Sequence, residues 1–306
     1  MQTTLPLPAI QPKRLTLWLA LTSVYILWGS TYLFIHFMTE QMPPLYMSSL
    51  RFLVAGTILY SYARLTGTPR PTWSQVRSAG IVGILLLTIA NGCLSMALQH
   101  IPTSIAALLA ATMPVFLLSL NWLGFAKTRP TNLALSGLLL GFVGICFLIK
   151  PDNMYATRTT NDNLIGAGLV MVANVAWALG TLLSPRLPLP SQIISSGLQM
   201  LTGGIILLLF SLFAEPVSLF SFLDAPSKAI GSLCYLVIFG SIIGFSSYAW
   251  LARNAPPTLV STYAYVNPVV AMLLGTLFAG EILTLQSLFG AAIVVAGVVL
   301  VTLGRK

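Results

Sequence analysis

Residues 102–127 read PTSIAALLAATMPVFLLSLNWLGFAK, and residues 256–281 read PPTLVSTYAYVNPVVAMLLGTLFAGE. Each stretch is long and apolar enough for a membrane-crossing helix, which takes about 20 residues. Pro102 and Pro114 recur 154 residues on as Pro256 and Pro268, and Lys127 and Glu281, which close the stretches, keep that offset. Trp28 and Trp177, each deep in an earlier apolar stretch, lie 149 apart. The chain therefore reads as a duplicated membrane unit. Secondary transporters are often built that way, with the substrate site near the bilayer midplane between the repeats.

The composition agrees. Of 306 residues, 57% are hydrophobic and 7% charged, against about 25% charged in a soluble domain. The apolar runs are continuous rather than alternating, which argues for helices and against a β-barrel. The fold class expected is an all-α polytopic membrane protein. The net charge of +9 reads as membrane orientation rather than nucleic-acid binding. Cys93, Cys146 and Cys234 all fall inside apolar segments, as packing residues rather than a disulfide framework or a zinc site. Lys13 and Arg14 precede an apolar run longer than a signal-peptide core of roughly 7–15 residues, so this run reads as a retained first span.

Ten spans are expected: Leu15–Met38, Pro44–Arg64, Ser74–Leu98, Pro102–Phe125, Asn132–Ile149, Leu164–Ser184, Ser191–Ala214, Ser227–Leu251, Pro257–Gly280 and Thr284–Leu303. With the N-terminus inside, Lys13, Arg14, Arg64, Arg70, Arg77, Lys127, Arg129, Arg186, Arg253, Arg305 and Lys306 are cytoplasmic. Lys150, Arg158 and Lys228 are outside, and Arg51 lies within a span. Eleven basic residues against three set both termini in the cytoplasm. The polar loop near Lys150–Asn163 divides the chain into a five-helix repeat at 1–149, an external linker at 150–163 and a second five-helix repeat at 164–306. Five is odd, so the second repeat runs inverted relative to the first.

Pro114 and Pro268 fall near mid-bilayer in their spans, where an interior proline kinks a helix and frees a carbonyl. Such a kink either serves as a hinge and cavity wall or serves packing. Polar and aromatic residues share that depth: Tyr25, Trp28 and Tyr32, then Asn91, then Asn174 and Trp177, then Tyr248, and finally Tyr263, Tyr265 and Asn267. An asparagine in hydrocarbon demands partners, and a mid-depth tryptophan is not explained by the interfacial belt. As a set they read as a substrate cavity. Arg51, below the outer end of span two, either holds a substrate anion or plays a structural part. His36 lies near the outer end of span one.

Absences narrow the function. No Asp or Glu falls in the middle of a span, which disfavours a proton- or sodium-driven pump. No phosphate-binding loop of an ATP motor is present. No metal cluster or placed nucleophile and base appears, so neither an enzyme nor a cofactor is expected. Gly137, Gly141 and Gly144 on span five, and Gly290 and Gly297 on span ten, permit close helix contact, either within a monomer or as a dimer seam.

Several stretches resemble the EamA-type family of the drug/metabolite transporter superfamily. They are Trp28-Gly29-Ser30-Thr31-Tyr32, Arg51-Phe52 with Ala55-Gly56, Pro102-Thr103-Ser104 with Thr112-Met113-Pro114, and Ala264-Tyr265-Val266-Asn267-Pro268-Val269-Val270-Ala271 followed by Gly280-Glu281. The resemblance covers nearly the whole chain and is closest to the bacterial YedA-like inner-membrane permeases. It implies ten spans in two inverted repeats, with a central cavity lined by spans one, three, four, six, eight and nine. It also implies transport of amino acids, nucleobases, sugars or amphipathic compounds, without naming one. The expected function is a metabolite exporter or exchanger working by alternating access. A non-transporting sensor or assembly protein would show no counterflow. A passive channel would show flux without saturation.

Overall fold

The protein is described by a computed structural model covering residues 14–39, 42–97, 99–101, 106, 109–127, 129–148, 160–217, 225–278 and 285–304. Among these residues there are helices and no strand. In chain order the helices are α1 (Arg14–Thr39), α2 (Pro44–Leu65), α3 (Trp73–Ala97), α4 (Met113–Phe125), α5 (Asn132–Leu148), α6 (Thr160–Leu183), α7 (Gln192–Ala214), α8 (Ser227–Asn254), α9 (Tyr263–Phe278) and α10 (Leu285–Leu303). A single short turn of helix, Pro257–Val260, precedes α9. Four helical stretches, Trp73–Ala97, Leu164–Arg186, Gln192–Ala214 and Ser227–Asn254, are each long and apolar enough to cross a membrane. Leu139, Phe213, Leu277 and Val299 point outward, as a lipid-facing surface requires. The chain is a helical membrane protein.

Helix starts follow local chemistry. Thr72 and Gln75 form a reciprocal capping box at α3. Proline at the first position of α2 needs no N–H partner. The next two free N–H groups, of Leu45 and Tyr46, donate at 2.9 Å to the two carboxylate oxygens of Glu215, just beyond α7. Ser211 Oγ donates to the same carboxylate at 2.7 Å. An anion at a helix N-terminus is stabilising, and this one also fastens α7 to α2.

Two seams run on glycine. A β-carbon on Gly137 would lie 2.7 Å from the Gly297 carbonyl oxygen, and one on Gly297 would lie 2.7 Å from that of Gly137. Gly56 and Gly197 meet in the same reciprocal way, at 2.9 and 3.2 Å. These contacts join α5 to α10 and α2 to α7. The seam glycines Gly137, Gly141, Gly144, Gly290 and Gly297 thus meet across this seam within one chain. Around these seams the packing is paired: α1 lies on α9 and α8, and α6 lies on α4 and α3.

The helices nearest the centre are irregular in paired places. Ile84–Ala90 in α3 and Leu236–Phe245 in α8 are π-helical, a geometry frequent at functional sites. A turn at Ala111–Thr112 precedes α4, and one at Ser261–Thr262 precedes α9. At both turns the threonine hydroxyl donates at 2.6 Å to the carbonyl three residues earlier, Thr112 to Leu109 and Thr262 to Leu259. These turns are 150 residues apart, whereas the prolines are 154 apart. Pro114 is therefore the second residue of α4, where its missing N–H costs little, while Pro268 lies inside α9. The two prolines do not act as equivalent mid-helix kinks. The offset of four residues is one helical turn, and it moves Pro114 to a helix start.

Candidate functional site

A cavity of about 210 Å³ lies where these irregular segments meet. Trp28 and Thr31 of α1, Asn91 of α3, Asn174 and Trp177 of α6, and Tyr263, Asn267 and Pro268 of α9 line it. So do Arg51 and Phe52 of α2, a helix the family resemblance left out of the wall. Small residues, Ala90, Ala110, Ala111 and Ala173, leave the space open. The lining falls in the C-terminal parts of α1 and α3 and the N-terminal part of α2, so the cavity extends from mid-bundle toward the face where those ends lie.

The floor is aromatic. Trp28 and Trp177 meet edge to face at 5.7 Å, and Trp28 and Tyr263 at 5.2 Å. Tyr248, fully buried, lies against Trp28, Trp177 and Tyr263 at 5.1 to 5.4 Å. It sits beneath the cavity rather than in its wall. Such pairs add roughly 0.5–1.5 kcal/mol each beyond area burial. Trp28 is held from above by α8: its Nε1 donates to the Gly240 carbonyl at 3.0 Å, and a β-carbon on Gly244 would lie 2.7 Å from that nitrogen. The Nε1 of Trp177 is buried and has no hydrogen-bond partner among the described residues.

Below the floor lie two hydroxyl bonds, the second of which joins the halves. Tyr248 Oη meets Thr181 Oγ1 at 2.5 Å, and Tyr25 Oη meets Thr262 Oγ1 at 2.5 Å. Thr181 and Thr262 each donate onward to a helix carbonyl, of Trp177 and Leu259, so the tyrosines are the donors. Tyr25 thus belongs to this closing layer and not to the cavity wall. On α6, Asn174 stands 149 residues after Tyr25 and serves the matching turn: its Nδ2 donates to Leu109 O at 2.9 Å and Thr112 Oγ1 at 3.1 Å.

The other asparagines are also committed to backbone. Asn91 Nδ2 donates to Leu86 O at 2.8 Å, inside the π-helical turn of α3. Asn267, with its amide nitrogen turned to donate, reaches Tyr263 O at 3.2 Å and Tyr25 O at 3.3 Å. A proline also removes the donor for the carbonyl four residues before it. For Pro114 and Pro268 those residues are Ala110 and Ala264, and both line the cavity.

Of the residues expected from sequence, the structure brings Trp28, Asn91, Asn174, Trp177, Tyr263, Asn267, Arg51 and Pro268 to one cavity. It does not bring Tyr265. That ring is fully buried with Ala111, Leu138 and Val294, against Gly141, and its hydroxyl donates to Leu138 O at 3.3 Å. Tyr263 and Tyr265 are two residues apart, about 200° around a helix, so both cannot face one cavity. Tyr265 instead fastens α9 to α5. Pro114 is buried at the start of α4 and outside the lining. The Tyr32 and His36 side chains, Pro102 and Glu281 lie outside what is described. Sequence reasoning missed Thr112, Thr181 and Thr262. A signal existed for two of them: Leu109 and Thr112 recur 150 residues on as Leu259 and Thr262.

Among the described residues no group of His, Cys, Asp and Glu could hold a metal ion. The model of the EamA-like transporter family matches the chain twice, over residues 14–150 and 164–303. The uncharacterized inner membrane transporter YedA of Escherichia coli (strain K12) is 38% identical over 296 residues, 96% of this chain and 92% of that protein. An uncharacterized transporter of Archaeoglobus fulgidus is 27% identical over 289 residues, 94% of this chain and 99% of that protein. A crystal structure at 18% identity shares the fold, with a TM-score of 0.79 over 95% of this chain and 98% of the other. With both halves matched and a relative this similar along nearly its full length, the chain belongs to the EamA-like transporter family.

Proposed function

We propose that the protein is a secondary carrier, not an enzyme, which exports or exchanges small metabolites across a bacterial inner membrane by alternating access. Two inverted five-helix repeats, ten spans in all with both termini cytoplasmic, rock about one central site. The observation that carries this reading is a cavity walled by both halves, with a matched pair of contacts between them, one below the floor and one made from the cavity wall. The α1 half reaches the α9 turn through Tyr25 and Thr262, and α6 reaches the α4 turn through Asn174 and Thr112. Breaking such contacts on one face and making their counterparts on the other is how two halves expose one site alternately. The relatives named as transporters support the same class. The substrates that fit are small amphipathic metabolites, amino acids among them, because apolar rings dominate the wall and few polar groups orient a ligand.

Counterflow in proteoliposomes tests it. Vesicles loaded with an unlabelled metabolite should take up the labelled compound faster than empty vesicles, with saturation. Flux that neither saturates nor responds to the internal load would show a channel, and no flux across a broad metabolite panel would remove the carrier reading.

A further inference from the structure

Arg51 carries a charge into the cavity wall, and no described carboxylate meets it. Its guanidinium has five N–H donors. Nε donates to Ser241 Oγ at 2.6 Å, and the Nη hydrogens meet no acceptor among the described residues. The one described carboxylate side chain, Glu215, is occupied at the start of α2. An arginine held for structure has its donors satisfied, because a buried charge is costly unless paired. This one is aimed by its neighbours instead. Ser241 fixes one edge of the fork, and Gly240 leaves room for the other: a β-carbon there would lie 2.7 Å from Nη2. Phe52 flanks the guanidinium at 5.3 Å.

The same glycine places this charge beside the aromatic floor, since its carbonyl accepts from Trp28 Nε1 at 3.0 Å. The asparagines of the wall, by contrast, use amide N–H groups on protein acceptors: Leu86 O for Asn91, Leu109 O and Thr112 Oγ1 for Asn174, Tyr263 O and Tyr25 O for Asn267. The charged donors of the described wall are therefore those of Arg51, with Trp177 Nε1 a neutral donor of the lining that has no partner among the described residues. The guanidinium fork matches a carboxylate in two parallel bonds.

We infer that Arg51 receives the carboxylate of the transported molecule, and that the substrate class is small organic acids with a planar apolar body lying against Trp28, Trp177 and Tyr263. This rests on the carrier reading and names its substrate class. When the site is filled, the uncompensated charge gains its partner and the rings gain a flat apolar face.

The probes are benzoate, 3-phenylpropionate and indole-3-acetate, each compared with its primary amide, which keeps shape and removes charge. Binding to the purified protein is read by tryptophan fluorescence and by thermal shift. At least one acid should bind ten-fold or more tighter than its amide. Arg51→Gln should erase that preference, and Arg51→Lys should keep only part of it, since charge remains but the fork is lost. If Arg51→Gln fails to fold, Gly240→Ala decides. Its methyl group displaces Nη2, so acid affinity should drop while amide affinity holds. Amides binding as well as acids, an acid preference surviving both variants, or no binding by any probe would overturn the inference. Acid-selective binding that depends on Arg51, with no counterflow of labelled 3-phenylpropionate, would sustain the Arg51 site and remove the carrier reading instead.

Discussion

Glu215 does at the residue scale what no side chain of α2 can do for its own helix. The chain enters α2 through Pro43 and Pro44, and Pro43 has no side-chain oxygen to cap the free N–H groups. The carboxylate from beyond α7 fills that place with one oxygen for each of Leu45 and Tyr46. Glu215→Gln keeps the shape, removes the charge and turns an N–H toward one of the two backbone donors. Hydrogen bonds to charged groups contribute about 1.5–3 kcal/mol, so a loss of about 2 kcal/mol is expected. The measurement is thermal unfolding in detergent, with Glu215→Asp as the control that keeps charge at shorter reach. An unchanged melting temperature for Glu215→Gln would show that solvent replaces the cap. The same scale explains Tyr265. Its type and depth match those of Tyr263, and only the turn of the helix separates a cavity wall from a packing contact.

At the scale of elements, the turns before α4 and α9 are equivalent but the prolines after them are not. Pro268 leaves Ala264 without its helical donor from within α9, whereas Pro114 sits where a free N–H would be unpaired in any case. Pro268→Ala should therefore straighten and stiffen α9. Its counterflow rate should fall several-fold with the melting temperature unchanged or raised, while Pro114→Ala stays within about two-fold of the unaltered protein, given a cost of ~3 kcal/mol for an interior proline against little at a helix start. Equal effects from the two substitutions would refute this asymmetry. Much of the architecture was legible in the sequence because hydrophobic run length reports directly on membrane helices. Trp28, Arg51, Asn91, Asn174, Trp177, Tyr263 and Asn267 were legible as cavity residues, because polar and aromatic side chains at mid-depth need a reason to be there. Three things were not. Rotation about a helix separated Tyr263 from Tyr265, since depth alone does not give facing. The π-helical turns of α3 and α8, whose Leu86 and Gly240 carbonyls accept from Asn91 and Trp28, have no propensity signature. The hydroxyl contacts Tyr25 to Thr262 and Tyr248 to Thr181 join residues 237 and 67 apart, distances that no local pattern encodes.

At the scale of the whole molecule, orientation and energetics follow from where charge lies. The excess of basic residues predicts that 127–129 are cytoplasmic and the 150–163 linker external. Once Cys93, Cys146 and Cys234 are replaced by serine, Thr159→Cys should react with an impermeant thiol reagent in intact cells and Thr128→Cys should not. The reverse pattern would invert the topology. With that orientation the cavity lies on the external side and the tyrosine layer closes the cytoplasmic side. The energetics then turn on what could bind a coupling ion in between. Among the described residues no Asp, Glu or His lines the cavity, and the arginine that does stays protonated at any working pH. A proton therefore has no carboxylate or imidazole of the wall to ride on. Sodium would need oxygens, and the carbonyls of Leu109 and Leu259 already accept hydrogen bonds from Thr112, Asn174 and Thr262. Ala110 and Ala264 remain as two candidate oxygens, one from each half, short of the six or so a hard cation gathers. Transport is thus expected to be facilitative or exchange-type. In proteoliposomes, an imposed pH or sodium gradient should leave the final level of labelled substrate at equilibrium, while internal unlabelled substrate should drive transient accumulation. Sustained accumulation that collapses with the sodium gradient would assign the Ala110 and Ala264 carbonyls to a cation site and reverse this account of the energy source.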